Sequence, residues 1–295
     1  MGDATTPDRI VNRDTYHTEQ LILDLERRSR ALRRAVITMV YGAGSGHCGG
    51  SLSAADLVTA LYFHHLRIDP RRPDWPERDR FILSKGHAAP ILYAALAYRG
   101  FFPEAELATL RRLDSRLQGH PDMTKTPGCD MTSGALGHGV AIGAGLALSA
   151  RLDGALYRTY VMLGDGEIQA GVVWEGAMTA AKYGLDNLTA ILDFNGVQLD
   201  GRVADVMPVE PVVDKWRAFG WHALEIDGHN MRQILEALDE VPKLHAKPTI
   251  IVAHTIKGKG VSFMEGKNTW HGRAPTKEQY EQAMAELADV EVACG

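Results

Sequence analysis

Asp165 lies between two glycines at the end of an apolar run, in the stretch MLGDGEIQAG at 162–171. Glycines on both sides allow unusual backbone angles and let a ligand approach the main chain closely. A helix that begins a few residues later points its free N–H groups back at this turn, which suits an anion. A carboxylate beside an anion is unfavourable unless a cation lies between them. The turn therefore predicts a phosphate-bound divalent metal, with magnesium as the leading candidate.

A second candidate metal ligand, Asn195, ends the next apolar run, NLTAILDFNG at 187–196. If the two runs are neighbouring strands of a parallel sheet, Asp165 and Asn195 project from adjacent strand ends onto one ion. Backbone oxygens of the loop after Asn195 can complete an oxygen ligand set. Each motif alone is explained better by a tight turn. The two motifs in this order are much more specific.

Short β-branched runs alternate with helical patterns along the chain. The predicted strands are RFILS (80–84), TYVML (159–163), NLTAILDF (187–194), HALEI (222–226) and TIIVAHT (249–255). Patterns at 172–184 and 231–241 are long enough for crossover helices, and further helices are predicted at 18–40 and 276–289. We expect an α/β fold, a parallel sheet with helices on both faces and an N-terminal helical extension. No linker divides the chain, so a single domain spanning 1–295 is predicted.

Composition excludes several classes of function. The net charge of −5 and the lack of a dense basic block argue against nucleic acid as a partner. No apolar run is long enough to span a bilayer and the N-terminus has no signal pattern, which predicts no membrane association and a cytoplasmic location. The cysteines form no CxxC pair, so neither a zinc site nor a disulfide framework is supported; they are Cys48, Cys129 and Cys294.

Two glycine-rich segments are misleading matches to nucleotide-binding motifs. GSGHCG at 44–49 matches G-x-G-x-x-G but follows a helical pattern instead of a strand. KGKG at 257–260 lacks the spacing of a phosphate-binding P-loop. Dinucleotide or P-loop nucleotide binding is therefore disfavoured.

The pairing of GDG with a later Asn resembles the thiamine-diphosphate fingerprint, in which Asp, Asn and one backbone carbonyl hold Mg²⁺ against the diphosphate. Carried over, the metal ligands are Asp165, Asn195 and the main-chain oxygen of Val197. Five further segments are similar to the transketolase family in particular, in order along the chain: SGHCGGSLSAADL, LSKGHAAPILYAAL, GHPD, TSGALGHG and WHGRAP. The resemblance implies a thiamine-diphosphate (PP-type) binding fold. It also implies transfer of a two-carbon ketol unit between sugar phosphates, with thiamine diphosphate and Mg²⁺ as cofactors.

The resemblance assigns roles to four histidines on glycine-flanked loops. His47, His120 and His271 are expected to contact the sugar hydroxyls and assist proton movements, while His87 and His271 approach the diphosphate. Imidazole suits this work because its pKa lies near neutrality. The other implied cofactor-site residues are Gly134 and Leu136 at the aminopyrimidine ring, Gly166 and Asn195 at the diphosphate, and Glu175 in a carboxylate network between paired sites. The remaining histidines, except His138, which receives no role, are expected to cap helices or face solvent: His17, His64, His65, His222, His229, His245 and His254.

The resemblance also implies a partner chain. A full transketolase contains a pyrimidine-binding domain, with the glutamate that activates the cofactor, and a C-terminal domain, whereas these 295 residues match only the first domain. We therefore expect the N-terminal subunit of a split transketolase, inactive without a partner that supplies the activating glutamate and most sugar-phosphate contacts. An α2β2 heterotetramer is expected. Ordinary pentose phosphates, branched sugars and sulfonated sugars all remain possible substrates.

Three positions depart from the family pattern: Cys48 replaces a proline, Ala170 a glutamate of the carboxylate network, and Asp122 a glutamate. Two alternative functions stay open at this point. One is a thiamine-dependent carboligase or a 2-oxoacid-processing subunit. The histidine set argues against a 2-oxoacid dehydrogenase subunit but not against a carboligase. The other is a non-catalytic regulatory subunit, which has no physical need for an assembled metal site.

Overall fold

Five parallel strands form one sheet in the computed structural model, which describes residues 17–288. The strands are β1 (Arg80–Leu83), β2 (Thr159–Gly164), β3 (Leu188–Phe194), β4 (His222–Asp227) and β5 (Thr249–His254). Their order across the sheet is β1-β2-β3-β5-β4, and every neighbouring pair is parallel. All five predicted strands are confirmed to within one or two residues. Cys294 and the N-terminal stretch, for which no signal peptide is predicted, lie outside the described residues.

The α-helices alternate with these strands. They are α1 (Glu19–Ala43), α2 (Gly49–Ser53), α3 (Ala55–Ala60), α4 (Ala89–Arg99), α5 (His138–Leu152), α6 (Gly171–Lys182), α7 (Val203–Val206), α8 (Val212–Ala218), α9 (Met231–Glu240) and α10 (Lys277–Glu286). Short 3₁₀ segments span Gly86–Ala88, Glu104–Thr109, Gly166–Gln169, Val241–Lys243 and Asn268–Trp270, and a π-helical turn spans Leu61–His65. Both predicted crossover helices, α6 and α9, are present.

Helices cover both faces of the sheet, as the alternation of strands and helices predicts. Successive side chains of β2 point to opposite faces: Tyr160 and Met162 join a core with α1, α3, α4 and α9, whereas Val161 and Leu163 join a core with α5, α6 and α8. The sheet is therefore buried on both sides, which accounts for its almost continuous apolar strands. The edge strand β4 is the exception, since it is only partly buried and carries the exposed Glu225.

The N-terminal helix has clear start and stop signals. The Oγ of Thr18 accepts the N–H of Leu21 at 3.2 Å, and the helix ends at Gly44 with φ of +62°. It runs three residues beyond the predicted end at Val40, up to the turn that precedes His47. No helix within residues 17–288 is long and apolar enough to span a bilayer.

Three histidines expected to cap helices or face solvent do neither, so that expectation was wrong for His17, His65 and His229. The Nε2 of the partly buried His65 lies 2.7 Å from the hydroxyl of the buried Tyr160. His17 is 3% exposed and its Nε2 lies 2.9 Å from Oδ2 of Asp239. His229 lies 2.7 Å from the buried Asp56 carboxylate through Nδ1, while its Nε2 accepts the N–H of Ile256 at 2.8 Å. These partners are distant in sequence, and only the packed helices bring them together.

Candidate active site

Asp165 and Asn195 lie side by side at the carboxyl edge of the sheet, as the sequence predicts. β2 ends at Gly164 and β3 at Phe194, and the two strands pair in parallel with Gly164 opposite Asp193. Asp165 therefore begins the turn after one strand and Asn195 the turn after its neighbour. Ligand sites of open parallel sheets form at this edge.

The Asp165 carboxylate is withdrawn from solvent, with 2% of the residue exposed. Its Oδ1 accepts the N–H of Gly166 at 2.8 Å, and its Oδ2 accepts the N–H of Gly196. Burial, followed by the charge of Asp193, raises the pKa of Asp165 to about 6, although the two N–H donors and Lys257 act in the opposite direction. A divalent cation would stabilise this buried anion.

The side chain of Asn195 is oriented by a buried carboxylate. Its Nδ2 donates to Oδ2 of Asp193 at 3.2 Å, and its Oδ1 accepts the N–H of Val197 at 3.2 Å. The amide oxygen is thereby directed to the loop side, where the sequence predicts a metal ligand. With the Asp165 carboxylate and the Val197 carbonyl, the predicted set contains only hard oxygen donors, as Mg²⁺ prefers. No three His, Cys, Asp or Glu side chains in the described part of the chain form a metal cluster by themselves.

Lys85 is a buried cation of the site that was not predicted from the sequence. Its Nζ donates to the carbonyl oxygen of Gly50 at 2.8 Å and forms an ion pair with Asp193. Asp193 is itself 0% exposed and also accepts from Ser53 Oγ at 2.5 Å. The available signal was the position of this lysine directly before the GHA segment, because a cation beside a predicted phosphate contact can serve that contact.

Lys257 is the second buried cation that was not predicted. Its Nζ donates to the carbonyl oxygen of Val197 at 2.8 Å and lies 2.8 Å from Nδ1 of His271. Burial lowers the pKa of Lys257 to about 8, against the opposing effect of Asp165. The KGKG segment does not have P-loop spacing. Its first lysine nevertheless reaches the predicted metal-binding loop.

Three of the predicted histidines form one cluster of rings. The ring centroids of His47 and His87 are 5.2 Å apart, those of His47 and His271 are 5.5 Å apart, and those of His87 and His271 are 4.8 Å apart. Burial is the main cause that lowers their pKa values, to about 4 for His47, about 2 for His87 and about 3 for His271. The imidazoles are therefore neutral at physiological pH and can donate or accept a hydrogen bond.

His120 lies at the same site but on its more exposed side. A Cβ placed on Gly134 would fall 3.6 Å from Cγ of the His120 ring, so the ring lies beside the predicted cofactor loop. Burial and the charge of Arg111 lower the pKa of His120. Leu136 of the same loop is 44% exposed. The structure thus places His120 beside Gly134, while Gly166 lies beside Asp165 through its N–H.

Glu167 is a further site residue to which the sequence assigned no role. The residue is 4% exposed, and its Oε1 accepts the N–H of Gly137 at 2.8 Å while its Oε2 accepts the N–H of Gly164 at 2.9 Å. Ser84 Oγ also donates to this carboxylate. Burial raises the pKa of Glu167. The side chain connects the predicted ring-binding loop to the turn that carries Asp165. The sequence feature that could have identified this role is the acidic residue directly after GDG.

Glu175 is not brought into this cluster. It lies on the exposed face of α6, and within residues 17–288 no contact joins its carboxylate to the histidines or to Asp165. Ala170, at the start of the same helix, is half-buried. The expected role of Glu175 between paired sites stays a prediction.

The residues present fit Mg²⁺ and a diphosphate. The buried Nδ1 of His47 has no hydrogen-bond partner among the described residues, so it is available to a ligand. A Cβ on Gly50 would lie 3.8 Å from Nε2 of His87 and 3.9 Å from Nζ of Lys85. Because Gly50 has no side chain, the space next to these two nitrogen atoms is open to a ligand. Buried ammonium groups and imidazoles suit a diphosphate, and the Asp165 carboxylate suits the cation that accompanies it.

Comparison with known proteins gives a consistent result. Residues 26–288 match the family described as "Transketolase, thiamine diphosphate binding domain". The chain is 46% identical over 265 residues to a 6-deoxy-6-sulfo-D-fructose transketolase subunit of Clostridium sp., covering 90% of this chain and 96% of that one. It is 43% identical over 265 residues to an apulose-4-phosphate transketolase subunit of Phocaeicola vulgatus, covering 90% and 94%. It is 41% identical over 281 residues to the transketolase of Homo sapiens, covering 93% of this chain but 44% of that one.

Solved structures show the same likeness. A transketolase from Campylobacter jejuni superimposes with a TM-score of 0.85 at 33% identity, over 89% of this chain and 42% of that one. The Pichia stipitis transketolase in complex with sedoheptulose 7-phosphate gives a TM-score of 0.85 at 32% identity, over 90% and 41%.

Proposed function

This chain belongs to the transketolase family, and on that premise we propose that it is the N-terminal subunit of a two-component transketolase. The enzyme transfers a two-carbon ketol unit from a ketose donor to an aldose acceptor. The observation that carries the proposal is the match to proteins called transketolase subunits, of which the chain covers 96% and 94%. Single-chain transketolases are more than twice as long as the matched region, since the chain covers 44% of the human protein.

The cofactors of this proposal are thiamine diphosphate and Mg²⁺. Asp165, Asn195 and the carbonyl of Val197 would hold the metal, and their convergence at the ends of β2 and β3 supports this assignment. His87, His271, Gly166 and the two buried lysines Lys85 and Lys257 would hold the diphosphate. Gly134 and Leu136 would meet the aminopyrimidine ring. When bound, thiamine diphosphate supplies the carbon nucleophile that breaks and re-forms the sugar C–C bond, and the chain positions it.

His47, His120 and His271 are proposed to handle the sugar hydroxyls. Their lowered pKa values keep the rings neutral near pH 7, so each ring can both donate a hydrogen bond to a sugar hydroxyl and accept one from it. His47 has a free buried Nδ1 at the cluster. Neutral imidazoles beside buried ammonium groups also avoid adding further positive charge to the site.

We propose that residues 1–295 form one diphosphate-binding domain and that a partner chain supplies the pyrimidine-binding domain with its activating glutamate, in an α2β2 assembly. Apolar side chains left exposed on the loop before α5, on α5 and on α6 support a partner surface: Leu136 is 44%, Ile142 on α5 is 40% and Met178 on α6 is 54% exposed. The names of the relatives favour 6-deoxy-6-sulfofructose or apulose 4-phosphate among possible substrates. The cytoplasmic location stays a prediction.

The test is reconstitution. The chain would be co-expressed with a candidate pyrimidine-domain protein and assayed for ketol transfer to ribose 5-phosphate, with xylulose 5-phosphate or 6-deoxy-6-sulfofructose as donor. Each chain alone and a complex with Asp165→Asn serve as controls. We expect transfer only from the intact pair with Mg²⁺ and thiamine diphosphate. A stable, cofactor-loaded pair that transfers from neither donor would favour a carboligase, and a pair that binds no cofactor would favour a regulatory role.

A further inference from the structure

Arg111 bridges the two loops that carry His47 and His120. Its Nη1 donates to Oγ of Ser45 at 2.8 Å, two residues before His47. The same guanidinium packs flat against Gly119, the residue before His120, because a Cβ placed there would fall 2.9 Å from Nη2 and 3.1 Å from Cζ. One planar cation therefore contacts both histidine loops, through the Ser45 hydroxyl on one and the Gly119 backbone on the other.

The backbone of Arg111 is held in a conformation that few non-glycine residues adopt. Its φ is +60°, in the left-handed region, and its N–H donates to the carbonyl oxygen of Leu117 at 2.8 Å. Such a conformation is unfavourable for a residue with a side chain and persists where surrounding contacts enforce it. The side chain of Arg111 is partly buried, where it contacts both Ser45 and Gly119.

The charge of Arg111 also acts on both imidazoles. After burial, it is the leading cause that lowers the pKa of His47 and of His120. The other groups that face His47 are the rings of His87, His271 and His120 and the ammonium group of Lys257. No carboxylate is among these groups, so nothing there offsets the guanidinium.

We propose that Arg111 is a positioning residue for the ketol transfer, clamping the Ser45–His47 loop to the Gly119–His120 loop and thereby setting the spacing of two sugar-facing imidazoles. This inference rests on the proposed function. It assigns Arg111 a role on the substrate side only. The diphosphate side, formed by Lys85, Lys257 and the metal ligands, is independent of it.

The experiment uses the reconstituted complex with Arg111→Met, Arg111→Lys and the exposed neighbour Arg112→Met as a control that loses the same charge in the same loop. All variants keep a Cβ, so backbone strain is matched. We expect Arg111→Met to lower kcat/KM about tenfold or more, to move the acid limb of its pH profile to higher pH, and to leave the thiamine diphosphate Kd within about twofold. Arg111→Lys restores the acid limb but not kcat/KM, because one ammonium group cannot hold both loops.

A second measurement does not depend on turnover. Histidine-labelled chain is titrated by NMR, and Arg111→Met is expected to raise the pKa of both His47 and His120, with Arg112→Met unchanged. Equal pH profiles and equal histidine titrations for the two Met variants would overturn the proposal, as would a loss confined to cofactor affinity. A wild-type complex without transfer would instead refute the proposed function, while the NMR titration still decides whether Arg111 acts on the two rings.

Discussion

Replacement of Asp165 by asparagine is expected to change cofactor binding and unliganded stability in opposite directions. The side chain keeps its size, so the turn is not emptied. The buried negative charge, 2% exposed in the folded chain, is lost. Without that charge, Mg²⁺ loses its only anionic ligand from this chain in the proposed set. The unliganded chain, by contrast, no longer has to bury a carboxylate that lacks sufficient positive charge around it.

The magnitude follows from the pKa of Asp165, which folding raises from 3.8 to about 6. Folding favours the protonated form of Asp165. Its contribution to the free energy of unfolding is therefore present below about pH 4, falls as pH rises to about 6, and is absent above pH 6. The full effect is about 3 kcal/mol, at roughly 1.4 kcal/mol per unit. Asn removes this effect but accepts only one of the two N–H groups of Gly166 and Gly196, which costs about 1–2 kcal/mol. The variant should therefore be as stable as the wild type, or more stable, at pH 8.

Two assays test this reasoning. Urea unfolding of the unliganded chain should show that the stability difference between wild type and Asp165→Asn changes by about 2 kcal/mol between pH 4.5 and pH 8. Calorimetry of the complex with Mg²⁺ should show thiamine diphosphate affinity reduced about 100-fold or more. The exposed carboxylate of Asp200 offers a control in the neighbouring loop through Asp200→Asn. The reasoning would be refuted if the free energy of unfolding of wild type and of Asp165→Asn changed with pH in the same way, or if Asp165→Asn bound thiamine diphosphate with unchanged affinity.

Three further outcomes follow from the buried groups of the site. Lys257→Met should weaken thiamine diphosphate binding about tenfold or more in calorimetry, since the diphosphate loses a buried cation; an unchanged Kd would contradict its assignment. Glu167→Gln should destabilise the chain by about 1–3 kcal/mol in urea unfolding, because an amide N–H₂ then faces the N–H of Gly137 or Gly164; equal midpoints would remove its tethering role. His47, with its pKa lowered to about 4, should stay neutral from pH 8 to pH 5.5 by NMR, and its burial should reduce stability as pH falls from 6.5 toward 4; titration near pH 6.5 would show that the ring is not desolvated.

The layered fold was accessible from the sequence because strand and helix periodicities in this chain are unambiguous. Buried parallel strands are short β-branched runs, and the helices between them show spacing of their own, so β1 to β5, α6 and α9 were all located. The order β1-β2-β3-β5-β4 was not, since nothing local in β4 shows that it pairs beyond β5 at the sheet edge. Asp165 and Asn195 were found because β2 and β3 follow one another in the chain and are also neighbours in the sheet.

The supporting residues were missed because their partners are remote in sequence. Lys85 meets Asp193, and Glu167 meets the N–H of Gly137, only after the loops have assembled on the sheet edge. His17, His65 and His229 were wrongly expected to cap helices or face solvent for the same reason. Local spacing identifies a glycine-flanked ligand, whereas the residues that orient it depend on tertiary packing.

The most direct test of the proposed metal site is the position of the metal in a crystal of the complex grown with thiamine diphosphate and Mn²⁺ in place of Mg²⁺. Anomalous scattering locates Mn²⁺ without reference to the protein density. We predict one peak at coordination distance, about 2.0–2.3 Å, from Asp165, from Oδ1 of Asn195 and from the carbonyl oxygen of Val197. A cofactor bound with the peak elsewhere, or with no ordered metal at these oxygens, would contradict the assignment.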